Sequence, residues 1–250
     1  DVAMYLGRAP VAMDIWANAR PLEQDGKIHH LNLTSTPIFV EGIDKQLALF
    51  RAGFRLDNPI IEASQVKHHR RILLTNPWPV TISGHFTITG PPDWKAFPQR
   101  RQFAIAAGQT AEYDVELTFP VSVISGSMPL IADFKFTADQ SYDVTMRTPM
   151  KVRMKQLDFR ANLVVNGPDV TVLCVVTNAG KKSQSFHLFT SLYGHRRLER
   201  PISALEPGQT VVRRFTFRDA AADLRDHDLW AGIRETNGPA VLNQRLSIGR

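Results

Sequence analysis

Apolar and polar residues alternate one for one along most of this chain. From Thr110 to Phe119, Ala111, Tyr113, Val115, Leu117 and Phe119 fall on one side of an extended backbone, and Glu112, Asp114 and Glu116 on the other. A period of two marks a strand with one buried face. Similar runs predict strands over residues 70–75, 80–88, 102–106, 110–119, 130–137 and 142–146. Others follow over 159–165, 170–177, 185–193, 211–217, 229–235 and 241–248. Turn residues separate them, as in Asn76-Pro77-Trp78-Pro79, Gly90-Pro91-Pro92-Asp93, Asn166-Gly167-Pro168-Asp169 and Thr236-Asn237-Gly238. The run around Cys174 is apolar enough to predict a strand covered on both faces, with the thiol buried. Helix is expected only over 45–52 and over 219–225, the latter with Asp219 as its cap.

A short pattern occurs twice. Thr75-Asn76 is followed by Gly108-Gln109-Thr110, and Thr177-Asn178 by Gly208-Gln209-Thr210. The Asn-to-Gly spacings are 32 and 30 residues, and the two units are offset by 102. One immunoglobulin-like sandwich takes about 100 residues. The expected fold is therefore all-β: tandem immunoglobulin-like β-sandwiches over 45–152 and 153–250, behind an N-terminal β-strand segment at 1–44. That segment offers strands over 3–6, 11–16 and 29–33, the last running on to 38–40, with an Asp25-Gly26 hairpin turn. Three strands cannot enclose a core, so the segment must pack on something else. Trp16 and Trp230 stand in alternating runs and are expected in the core.

Of the 250 residues 43% are hydrophobic and 22% charged, which excludes disorder as the main state. No stretch approaches the roughly 20 apolar residues of a membrane span. The chain opens on Asp1 with no basic and apolar leader, as expected of an excised or mature piece whose export signal lies elsewhere. A single cysteine excludes an internal disulfide. The net charge of +6 raises nucleic acid or an acidic polymer as a partner. However, the basic residues form short clusters (His68 to Arg71, Arg100-Arg101, Arg196-Arg197, Arg213-Arg214) interleaved with acids. Solvated charged faces are the expectation, and nucleic acid is not.

Val11-Ala-Met-Asp14-Ile15-Trp16-Ala17-Asn18, Asp25-Gly26, Leu31-Asn-Leu33 and Thr36-Pro37-Ile38-Phe39-Val40-Glu41-Gly42 form an ordered series. The series resembles the C-terminal end of many glycoside hydrolases, where a β-subdomain follows the catalytic barrel; Ala17 stands where glycine is usual. Residues 60–152 resemble the galactosidase-associated β-sandwich module, through Asn76, the turn at Pro91 to Trp94, Gly108-Gln-Thr110 and the loop from Pro120 to Gly126. The matching motifs carry no catalytic residue. The resemblance implies a non-catalytic accessory region of a larger, exported glycoside-hydrolase-like protein, extracellular or periplasmic. Its partners would be the protein's own catalytic domain and polysaccharide. The alternative is a stand-alone adhesion module that holds protein or acidic glycan through basic faces.

Candidate chemistry is sparse. Glu41 with Asp44, and Asp223 with Asp226 and Asp228, lack the barrel setting of a glycosidase carboxylate pair, and solvated acids are expected. His29-His30 and His68-His69 are adjacent in strands and so point to opposite faces, which prevents chelation of one ion. No metal and no cofactor is expected. Trp78 and Trp94 sit in turns beside prolines and are the carbohydrate-binding candidates, through stacking of an exposed ring on a sugar. Against this stands the alternative that each plugs an end of a sandwich.

Overall fold

A computed structural model describes residues 2–247, of which strand makes up 58% and helix 5%. The fold is all-β and sandwich-like. Six short strands open it: β1 (Val2–Met4), β2 (Val11–Met13), β3 (Ala19–Pro21), β4 (Glu23–Asp25), β5 (Ile28–Leu31) and β6 (Phe39–Glu41). They form two three-stranded sheets, ordered β1-β5-β4 and β3-β2-β6. The chain therefore divides this segment into twice the expected number of strands, each too short for alternation to show. Asp25 pairs with Ile28 across the expected hairpin turn.

Helix α1 (Lys45–Gly53) follows, its start fixed by Asp44, whose Oδ1 accepts the Leu47 N–H at 2.9 Å. Its buried side chains, Leu47 and Phe50, enter the main core. Then come β7 (Arg55–Leu56), β8 (Ile60–Glu62), β9 (His68–Thr75), β10 (Ile82–Gly90), β11 (Lys95–Phe97), β12 (Arg100–Ile105), β13 (Thr110–Thr118), β14 (Gly126–Thr137) and β15 (Ser141–Arg153). One sheet is ordered β12-β10-β14-β15-β8 and the other β11-β13-β9-β7. Tyr113 of the second meets Phe86 of the first edge to face, with ring centroids 5.7 Å apart.

The remaining strands are β16 (Leu157–Asn166), β17 (Asp169–Asn178), β18 (Gln184–Ser191), β19 (Leu198–Leu205), β20 (Thr210–Phe217), β21 (Leu229–Glu235) and β22 (Val241–Leu246). They build sheets ordered β16-β17-β20 and β19-β18-β21-β22. A one-turn helix, α2 (Asp223–Asp226), precedes β21. Ile248, the expected end of the last strand, lies outside the described residues.

Several expectations are corrected. Asp219 does not cap the second helix: it has φ 52°, and the helix begins later, behind Ala222, with no side-chain cap. Trp16 is 73% exposed, in a turn and not in a strand. Strand β17 is covered on one face only. Val170, Val172, Cys174 and Val176 are buried, whereas Thr171, Leu173, Val175 and Thr177 are half-buried, because no further layer covers that side. Strands β14 and β15 are longer than expected, because Pro129 and Pro149 stand directly opposite each other inside the pair. Neither proline breaks a ladder: β10 pairs with β14 only from Ile131, and β8 with β15 only from Lys151, so no flanking strand asks for the missing N–H. Strand β19 escaped prediction because Pro201 interrupts its pattern, which an edge strand tolerates.

Candidate functional site

Trp78 and Trp94 lie at opposite ends of β10, beyond Ile82 and Gly90 respectively. Their rings pack in different surroundings, Trp78 among Phe50, Phe136 and Tyr142 and Trp94 against Phe119, so they do not form one platform. Trp78 is 2% exposed and packs at 5.4–5.5 Å on Phe50, Phe136 and Tyr142. It has no open face, and the expectation of a sugar platform there is corrected: the prolines on either side turn the ring inward as a plug. Trp94 is only half-buried. Its turn is closed by its own N–H donating to the Pro91 carbonyl at 3.2 Å, and its ring lies 4.6 Å from that of Phe119. It lines a groove of about 300 Å³ with Lys95 and Gln99, where one aromatic surface meets two polar side chains.

A larger feature went unpredicted. In β3-β2-β6, Ala12, Arg20 and Val40 share one face, and Ala12 on it is buried. The opposite face carries Val11, Met13 and Phe39, the last 58% exposed. The loop joining β2 to β3 is tightly tied. The Asp14 carboxylate accepts the N–H groups of Trp16 and Asn18 and the Asn18 amide, at 2.8–2.9 Å, and these bonds hold its pKa below the usual carboxylate value. Ala17 follows Trp16 with φ 63°, in the left-handed region that favours glycine. The loop thus presents Ile15 and Trp16 to solvent from a fixed backbone. The Asp14-x-x-x-Asn18 spacing was the legible signal, hidden by the apparent alternation of the preceding strand.

Three of the acidic candidates, Asp44, Asp223 and Asp228, have structural partners. Asp44 also accepts the Tyr142 hydroxyl at 2.9 Å, tying the helix start to β15, and burial, joined by the bonds to Asp44 and Asp139, raises the Tyr142 pKa. Asp223 faces His195 Nε2 at 2.8 Å, and Asp228 faces Arg245 at 2.7 Å. Among the described residues no group of three or more His, Cys, Asp or Glu could hold a metal ion. Of the basic clusters, Arg71 bonds Glu112 and Asp57, and Arg197 bonds Glu199 while lying over Phe189; Lys67, beside the first cluster, bonds Glu116. Arg70 is spent on the Ile60 and His69 carbonyls. No helix of the described residues is long and apolar enough to cross a membrane.

No family model and no curated protein matches the chain. Among solved structures it is similar to a protein of unknown function from Porphyromonas gingivalis W83, at 12% identity and TM-score 0.31, over 78% of this chain and 100% of that one. It is also similar to red sea bream transglutaminase, at 10% identity and TM-score 0.31, over 94% of this chain but 40% of the other. A third is the CupB2 chaperone of Pseudomonas aeruginosa, at 10% identity and TM-score 0.22, over 76% and 97%. Likenesses this distant carry no argument about what the chain does.

Proposed function

We propose that this chain is a non-catalytic accessory region of a larger, exported glycoside-hydrolase-like protein, and that residues 1–44 dock on the body of that protein. The observation that supports it is the open face of β3-β2-β6. Phe39, Val11 and the fixed Ile15-Trp16 loop form an exposed apolar surface on a segment with few buried side chains of its own. Such a surface on a small sheet marks an interaction site. Trp94 adds one candidate contact for polysaccharide; a single ring contributes on the order of 1 kcal/mol beyond area burial, which corresponds to weak binding.

Tryptophan fluorescence tests the docking. Trp16 is far more exposed than Trp78, and Trp94 and Trp230 are half-buried, so acrylamide quenching of the 250-residue chain reports chiefly on Trp16. A Trp16→Phe variant identifies its share. In the full-length gene product that share should be shielded. Equal quenching in both forms would refute the docking.

A further inference from the structure

A cleft of about 530 Å³ opens where the N-terminal segment meets the first large sheet. One wall comes from Tyr5, which follows β1, and from Lys27 and Ile28 at the β4–β5 hairpin. The other comes from the ends of β10, β14 and β15. There Ser83 stands opposite Thr137, and Thr137 opposite Ser141, which sets three hydroxyls in one cross-strand row. All three residues are exposed, and among the described residues no side-chain hydrogen bond engages their hydroxyls. The next row on that face holds Lys135 and Asp143, which neutralise each other at 2.9 Å. Lys27 has no such carboxylate partner among the described residues. The cleft therefore combines one uncompensated cation, a row of hydroxyl donors and an apolar wall.

From this combination we infer that the cleft binds a small organic anion, a carboxylate on an apolar body. The volume lies in the range of small-molecule sites, which are mostly apolar with a few placed polar groups. A carboxylate between Lys27 and the hydroxyl row accepts charge-assisted hydrogen bonds, which are stronger than neutral ones. Its hydrocarbon part covers Tyr5 and Ile28, the latter 40% exposed. A free cation favours an anion over a neutral molecule of the same shape. This site is separate from the Trp16 face and does not depend on the docking proposed above.

The test is an NMR titration of the 250-residue chain with 4-phenylbutyrate and, in parallel, the uncharged 4-phenyl-1-butanol. Saturable shifts are expected at Lys27, Ile28, Ser83 and Thr137, with the carboxylate binding roughly three- to tenfold tighter than the alcohol. Lys27→Met should erase that preference, and Ser83→Phe, which fills the cleft from an exposed position, should abolish both titrations. Unchanged denaturation midpoints check the fold; if Ser83→Phe fails to fold, the loss of preference in Lys27→Met decides alone. Equal affinities for the two probes, shifts confined to the Trp16 loop, or no saturation would each overturn the inference. So would a carboxylate preference that survives in Lys27→Met.

Discussion

Asn76 and Asn178 hold two strand ends with the same three side-chain hydrogen bonds. Each Nδ2 donates to two carbonyls, Val80 and Ile105 for Asn76 and Lys182 and Leu205 for Asn178, all at 2.8 Å. Each Oδ1 accepts the N–H two residues on, from Trp78 and from Gly180, at 2.9 Å. The main chain repeats as well: Gly108 and Gly208 donate to the two asparagine carbonyls, and Gln109 and Gln209 accept from the asparagine N–H groups. Both glycines have φ near +70°, at 69° and 76°. Both asparagines are fully buried, so each side chain does for a strand end and two loops what water would otherwise do.

Replacing either asparagine strands two carbonyls away from solvent. Asn76→Ala and Asn178→Ala should each cost about 2–4 kcal/mol, read as a drop in denaturation midpoint. Asp at either site should be at least as harmful, since it presents a carboxylate to carbonyl oxygens. A loss below about 0.5 kcal/mol would show that these bonds are replaced at little cost.

Ala17 gives a prediction of opposite sign. At φ 63° it occupies a region that disfavours an L side chain. Ala17→Gly relieves that strain but gains entropy in the unfolded chain, for a net stabilisation of about 0.5 kcal/mol. Slower hydrogen exchange at the Asn18 amide, which Asp14 binds, is the expected readout.

These contacts show which parts of the molecule the sequence makes legible. The Asn…Gly-Gln-Thr repeat could be read because one buried amide, one left-handed glycine and one polar pair recur together. The pair is Thr75 with Thr110, then Thr177 with Thr210, each at 2.9 Å. Long strands such as β13 could be read because one face is buried and the other carries charge. In residues 2–41 the expected strands coincide in part with β1, β2, β5 and β6, but β3 and β4 could not be read, since three residues show no period and hydrophobic Phe39 and Trp16 face outward. Trp78 and Trp94 look alike in sequence, both beside prolines. Only the packing of Phe50, Phe136 and Tyr142 around Trp78 separates them.

His68 links stability to pH. It is 6% exposed, stacks on Phe119 with ring centroids 5.1 Å apart, and its Nε2 lies 3.1 Å from the Ser64 carbonyl. Burial is the main cause lowering its pKa below the ordinary histidine value, with Arg70 and His69 adding to it and Ser64 and Glu62 opposing. A histidine held neutral in the fold binds fewer protons than in the unfolded chain. Its contribution is therefore full above about pH 6.5 and is lost as pH falls toward its folded pKa. Denaturant midpoints should fall between pH 7 and 5, and His68→Gln should flatten that slope. An unchanged slope in the variant would assign the dependence to other groups.

Cys174 tests the inner face of β17. The thiol is fully buried between Val172 and Val176, and burial pushes its pKa up to about 12. A thiol reagent at pH 8 should leave the native chain unlabelled and react only as denaturant unfolds it, since the thiolate is the nucleophile. Rapid labelling of the native protein would show that the strand opens without global unfolding.

The last prediction concerns the junction between the two pairs of large sheets. Asn243 in β22 donates from Nδ2 to the Val121 and Val123 carbonyls at 2.8 and 3.0 Å, and its own carbonyl accepts the Ser125 N–H at 2.7 Å. Nearby, Val241 N–H reaches the Ala63 carbonyl at 2.7 Å and Gln65 N–H the Pro239 carbonyl at 3.1 Å. These bonds join residues 63–65 and 121–125 to the end of the chain's last sheet, and a single buried apolar cluster runs through both halves. Unfolding one half therefore exposes apolar surface and orphaned carbonyls on the other, and heat should melt the chain in one cooperative transition. Asn243→Leu keeps the main-chain bonds but leaves two carbonyls unpaired, at a cost of about 2–4 kcal/mol. Because that cost falls on the coupling, calorimetry of the variant should show the endotherm broadening or splitting in two. A variant that melts in one sharp transition at a lower temperature would place the coupling in the shared apolar cluster, with Asn243 contributing stability alone.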